Sequence, residues 1–126
     1  MHQTTTDIWT VRDTTLTTSI KPDTLLGYEV EATDGSIGKI DDKTLDAGFG
    51  TLIVDTGPWI FGRKVMLPIG VIQSADHDEQ KVFVNRTKDE IKNAPEFDES
   101  LIGDETYRNQ LGTYYGPGGA GWRDWE

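Results

Sequence analysis

The chain has 126 residues, with 22 aspartates and glutamates against 12 lysines and arginines, a formal charge of −10, and no cysteine. That length suits one domain with a real core and is small for an enzyme with a deep cleft. The acidity disfavours nucleic acid as a partner, because such affinity rests on Lys and Arg neutralising phosphates. The missing thiols exclude disulfides, thiolate metal sites and a cysteine nucleophile.

Residues 1–20 hold no apolar leader, and no window approaches the ~18 apolar residues of a membrane span. A soluble, cytoplasmic protein is the expectation. Residues 1–24 read as a Thr-rich arm whose apolar centre is Ile8-Trp9-Thr10-Val11. Trp9 and Val11 share a face if the segment is extended. Either the arm is disordered, or it lays Trp9 into a groove of the domain or of a partner subunit. Lys21-Pro22-Asp23 breaks the chain before the first strand.

From Leu26 to Arg86, short apolar runs alternate with Gly, Pro and Asp turns, which predicts a sandwich or small barrel of about six strands. The runs are Gly27–Ala32, Ile37–Lys43, Thr51–Asp55, Lys64–Leu67, Val71–Ala75 and Lys81–Asn85. Tyr28, Val30 and Ala32 alternate with Glu29 and Glu31, as in a half-buried strand. Asp34-Gly35 predicts a type I′ hairpin turn. Gly38, inside the second strand, predicts a sharp bend or a close backbone approach. Thr51–Asp55 is too continuously apolar for an exposed strand and is expected to be central and the most buried. The interior is assigned to Val30, Ile37, Ile40, Leu52, Ile53, Val54, Val65, Leu67, Val71, Ile72, Val82 and Val84.

Trp59-Ile60-Phe61, between Gly57-Pro58 and Gly62, forms an unusually apolar loop. It either plugs one end of the barrel or stands out as a contact patch. Pro68 marks a strand end. His77, between Asp76 and Asp78, sits on a polar turn, where neighbouring side chains diverge instead of converging on a metal. Thr87-Lys88-Asp89-Glu90 has the form of a capping box and predicts a short helix to about Asn93, ended by Pro95. A second helix is expected from Asp98 to about Leu111, with Leu101, Ile102, Tyr107 and Leu111 as its apolar stripe. The chain closes on Tyr114, Tyr115, Trp122 and Trp125 among glycines.

The runs Leu26-Gly27-Tyr28-Glu29-Val30 and Asp34-Gly35-Ser36-Ile37-Gly38-Lys39-Ile40 resemble the opening hairpin of PRC-barrel domains, small barrels related to the cytoplasmic part of the photosynthetic reaction-centre H subunit. Val65-Met66-Leu67-Pro68, Val82-Phe83-Val84, Thr87–Lys92 and Ala94-Pro95-Glu96-Phe97 are similar to that family's second half. The resemblance spans about Leu25 to Phe97. It implies a mainly β fold, a six-stranded PRC-type β-barrel at 25–97; residues 98–126 after it read as short C-terminal helices and an extended Gly/aromatic tail. It implies protein docking, as in the H subunit and a ribosome-maturation factor, and supplies no catalytic residue.

The expectation is therefore a non-catalytic interaction module without metal or cofactor, pairing with itself as a dimer or with another protein. Its interaction residues are Trp9, Trp59, Phe61, Tyr114, Tyr115, Trp122 and Trp125. Two alternatives remain. A small hydrolase-like enzyme would use His77 or His2 as base beside Asp55 or Asp76. A ribosome or RNA accessory factor would need a basic face from Lys39, Lys43, Arg63 and Lys64.

Overall fold

A computed structural model describes residues 24–47, 50–57 and 63–116. These form six strands, β1 (Glu29–Ala32), β2 (Gly35–Ile40), β3 (Thr51–Asp55), β4 (Lys64–Pro68), β5 (Ile72–Asp76) and β6 (Lys81–Val84), and two helices, α1 (Lys88–Lys92) and α2 (Glu105–Tyr115). The strands make one sheet in the order β4-β3-β2-β1-β6-β5, antiparallel except for the β1–β6 pair.

That order forces the sheet to curl. Laid flat, its edges would stand five strand spacings apart, about 24 Å. Yet the two edge strands are consecutive in the chain, and the four Cα steps from Pro68 to Ile72 span at most ~15 Å. A single 3₁₀ turn, Ile69–Val71, makes the connection. Both flanks hold it: Ile69 N donates to Gly50 O, and Asn85 N donates to Val71 O, each at 2.8 Å. The result is a mainly β half-barrel with its core on the concave side.

Tyr28, Val30 and Ala32 are buried and Glu29 and Glu31 half-buried, as the alternation predicts. The hairpin turn differs from expectation. Positive φ falls on Gly35 (147°) and not on Asp34, so the turn is not type I′. Asp34 instead uses its carboxylate to accept from Lys88 N at 2.8 Å, tying the hairpin to the start of α1. β2 also ends at Ile40, not Lys43, because Asp41 caps a 3₁₀ turn over Asp42–Asp46.

β3 is buried over four consecutive residues, but it lies second from an edge of the sheet. The 3₁₀ turn over Asp42–Asp46 packs against it. Thr44 Oγ1 accepts from Ile53 N at 2.9 Å and donates to Ile53 O at 3.2 Å. Ala47, Thr51, Met66, Leu101 and Arg108 line a shallow concavity of about 270 Å³ beside β3. Every residue assigned to the interior is buried except Val65, which is half-exposed; its neighbour Met66, on the other face of the strand, is buried as well.

The Thr87 capping box is present: Glu90 N donates to Thr87 Oγ1 at 3.1 Å and Thr87 N to Glu90 Oε1 at 2.8 Å. The second helix departs from the expected span. A 3₁₀ turn covers Glu99–Leu101, Gly103 at φ 84° interrupts, and α2 begins only after Asp104, whose carboxylate accepts from Tyr107 N. The helix then runs four residues past Leu111. Its buried stripe is Tyr107, Leu111 and Tyr115, while Leu101 and Ile102 lie outside it and are half-buried. Arg86 is wholly buried beneath this stripe, donating to Asn85 O at 2.6 Å and Tyr115 O at 3.1 Å, with its guanidinium 5.8 Å from the Tyr115 ring centre.

Candidate functional site

A concavity among the described residues arises where β2 and β3 stop pairing. β3 pairs with β2 only at Lys39–Asp55 and Ile40–Val54. At Gly38 the strands press together: a side-chain carbon there would overlap the Asp55 carbonyl oxygen and stand 2.8 Å from the Thr56 Cα. Only glycine allows that approach, and its φ of 149° suits no other residue. β2 carries an extra residue at this point, Ile37, opposite the Val30–Glu31 step of β1, so the strand bends. Beyond the bend the strands diverge, leaving a groove of about 600 Å³ walled by Ser36–Lys39 on one side and Asp55–Gly57 on the other. Among the described residues, the β2–β3 ladder ends at Lys39–Asp55, while Asp55 and Thr56 still lie against Gly38.

The walls are held locally. Ser36 Oγ donates to Glu29 Oε2 at 2.7 Å, Gly57 N donates to Asp55 Oδ1 at 2.9 Å, and Thr56 Oγ1 donates to Arg63 O at 2.5 Å. Lys39 is exposed on one rim and Asp55 on the other.

The other candidate groups are mostly engaged. Asp76 Oδ1 accepts from the amides of Asp78 and Glu79, both at 3.0 Å, so its carboxylate closes the turn. His77 is exposed, its Nδ1 2.7 Å from the Tyr28 hydroxyl and its ring edge-on to Tyr28. Among the described residues, no group of three or more His, Asp or Glu is placed to hold a metal. Of the proposed basic face, Arg63 pairs with Glu96, and Lys64 lies 3.2 Å from Glu99 and 3.9 Å from Asp41. The hydrogen bond to Glu99, with the charges of Asp41 and Asp55 behind it, holds the Lys64 ammonium above the ordinary lysine range.

Of the expected interaction residues, Trp9, Trp59, Phe61, Trp122 and Trp125 lie outside the described residues, as does His2. Tyr114 is half-buried and donates to Glu90 O at 2.6 Å. Tyr115 is a correction: α2 extends far enough to place it at the bottom of the core, fully buried, so it offers no surface to a partner. The groove itself was not anticipated. Its signal was Gly38, read as a close approach without the divergence that follows it.

The described residues thus define a small curled β-sheet with a groove beside the end of the β2–β3 ladder. No protein-family model matches the chain, and no curated protein matches it. Among solved structures, it is similar to a 16S ribosomal RNA processing protein, RimM, of Pseudomonas aeruginosa, at 19% identity and a TM-score of 0.44. The match covers 56% of this chain and 46% of that one, less than half of the solved protein's length. No helix among the described residues is long and apolar enough to cross a membrane.

Proposed function

We propose that the chain is a non-catalytic protein-docking module of the PRC-barrel type that pairs with a second copy of itself. The observation that carries this reading is where the large apolar side chains fall. Among the described residues only Leu45 is exposed, at 56%. All four tryptophans, with Phe61, belong to the segments 1–23, 58–62 and 117–126. A polar skin over the described residues, with the tryptophans all elsewhere in the sequence, fits a docking platform, since Trp and Tyr anchor most binding energy at interfaces.

The polar groups support the same reading. Asp34, Asp41, Thr87, Asp98 and Asp104 cap turns and helices. A general base needs a formed cleft around it, and His77 stands on an exposed turn. The carboxylate partners of Arg63 and Lys64 argue against a phosphate-binding face. Sheet edges are poor routes to pairing here: β5 carries a bulge at Gln73 and polar side chains, and β4 ends at Pro68. Association then falls to the aromatic segments, and one patch meeting its own copy gives a two-fold dimer.

Light scattering during size exclusion tests this. The full chain is expected to elute at twice its mass, and Trp122→Ala with Trp125→Ala at the single-chain mass with an unchanged circular dichroism spectrum. A full chain that stays monomeric at ~1 mM, where even weak pairs form, overturns the reading.

A further inference from the structure

We propose that the segment 94–101, between α1 and α2, is a latch over the edge of β4, held by the charge of Lys64 and able to open while the sheet stays folded. β4 ends the sheet, so one of its flanks has no partner strand among the described residues. Thr56 N donates to Arg63 O at 3.2 Å, and the ladder alternates from there. The main-chain groups of Lys64 and Met66 therefore face away from β3, toward that flank. Pro68 takes the next such position, where no donor goes unused. Left uncovered, an edge of this kind is a template for pairing with another chain.

The segment covers this flank without pairing to it. Among the described residues, none of its main-chain hydrogen bonds goes to β4. A cavity of about 70 Å³ remains between Val65 and Met66 on the strand and Ile91, Ala94 and Pro95 on the other side. Side chains hold the segment down instead. Phe97 is buried with its ring centre 5.9 Å from that of Tyr107, and the Tyr107 hydroxyl donates to Pro95 O at 2.8 Å. Arg63 pairs with Glu96, and Lys64 lies 3.2 Å from Glu99.

Lys64 is the part that charge can release. Glu96, Asp98 and Glu99 put three carboxylates within four positions, in a chain of charge −10. Asp41, on the turn after β2, lies 3.9 Å from the same ammonium. Lys64 therefore stands between carboxylates of two segments that would otherwise repel. Its side chain is only 23% exposed against 53% for Arg63, so water and salt weaken its pairs less. Closed, the latch keeps β4 from pairing with a second chain; screening or losing one charge opens it.

A glutamate-specific protease reads the latch, because cleavage follows the population of the opened form. Cleavage after Glu96 and Glu99 needs only the segment released. Cleavage after Glu29 and Glu31, inside β1, needs the sheet unfolded and serves as the internal standard. In Lys64→Gln, cleavage after Glu96 and Glu99 should rise about threefold to tenfold, the scale of two partly screened ion pairs, with Glu29 and Glu31 unchanged. Lys64→Arg keeps the charge and should match the unaltered chain. Unchanged cleavage after Glu96 and Glu99 in Lys64→Gln overturns the proposal, as does equal acceleration after Glu29 and Glu31, or Lys64→Arg behaving like Lys64→Gln. Hydrogen exchange of the unaltered chain gives a second reading in ~1 M NaCl, where the screening length falls to about 3 Å. The Leu101 amide, which donates to Asp98 O at 2.8 Å, should exchange about threefold faster than at low salt, while those of Val82 and Val84 hold. Equal Leu101 rates at both salt concentrations overturn the proposal. Neither readout depends on whether the chain dimerises, so failure here is distinct from failure of the docking reading.

Discussion

Replacing Gly38 by alanine tests the geometry on which the sheet and groove both depend. The added methyl would overlap the Asp55 carbonyl oxygen and sit 2.8 Å from both the Asp55 carbonyl carbon and the Thr56 Cα. Backbone cannot swing aside as a long side chain would, so β3 must shift away from β2. Only two residue pairs join these strands, Lys39–Asp55 and Ile40–Val54, and both lie next to the intrusion. Holding alanine at φ 149° costs about 1–3 kcal/mol, and the loosened hydrogen bonds about 1 kcal/mol each. The expected loss is about 3–5 kcal/mol, a large part of the roughly 6–19 kcal/mol that a chain of this size holds in reserve. Gly103→Ala is the control: its φ is 84°, but nothing lies within 4 Å of the added carbon, so it pays the conformational cost alone. Urea unfolding followed by circular dichroism measures both. If Gly38→Ala costs no more than Gly103→Ala, β3 does not press on β2 as described.

Val54 is fully buried between Ile40 and Val65 on neighbouring strands. Val54→Ala should lower stability by about 1–3 kcal/mol through lost burial and a residual cavity, and an unchanged urea midpoint would refute its place in the core. Alkaline pH should unfold the protein through its buried tyrosines. Desolvation raises the hydroxyl pKa values of Tyr107 and Tyr115 above the ordinary tyrosine value. The neutral forms are thus favoured by folding, so stability is complete below about pH 10 and is lost above it, at up to about 2.7 kcal/mol per pH unit for the two together. Absorbance at 295 nm should show these two ionising only as the fold melts; their titration in the folded protein near pH 10 would contradict their burial.

Much of the fold was legible because local chemistry and tertiary structure agree. Alternation placed Tyr28, Val30 and Ala32 inward, Pro68 ended β4, and the Thr87–Glu90 box started α1. What escaped depended on partners distant in sequence. Asp34 looked like a turn residue for its own hairpin, yet its carboxylate serves Lys88 N, 54 residues on. Nothing in Asn85-Arg86-Thr87 marks a buried arginine; its setting is made by Tyr115. α2 was placed too early because Leu101 and Ile102 fit a helical stripe as well as Tyr115 does. Asp104 decided the outcome by capping a later start, which moved the stripe to Tyr107, Leu111 and Tyr115. The groove was half legible: a glycine inside a strand implies closeness, but the divergence after it follows from how briefly β3 accompanies β2.

The parallel pairing of β1 with β6 has a consequence for how the chain is made. β1–β2, β3–β4 and β5–β6 join strands adjacent in sequence, so each can zip as soon as it emerges from synthesis. Glu29 and Lys81 face one another across 81 − 29 = 52 positions, and gathering that much chain costs on the order of 3–4 kcal/mol in loop entropy before any contact repays it. β1 therefore waits with an open flank, Val30 on it, until Lys81–Val84 has been translated. Folding should be gated by this late closure, on the slower timescale typical of non-local β pairings. Nascent chains stalled before position 81 are the ones most exposed to strand-to-strand aggregation.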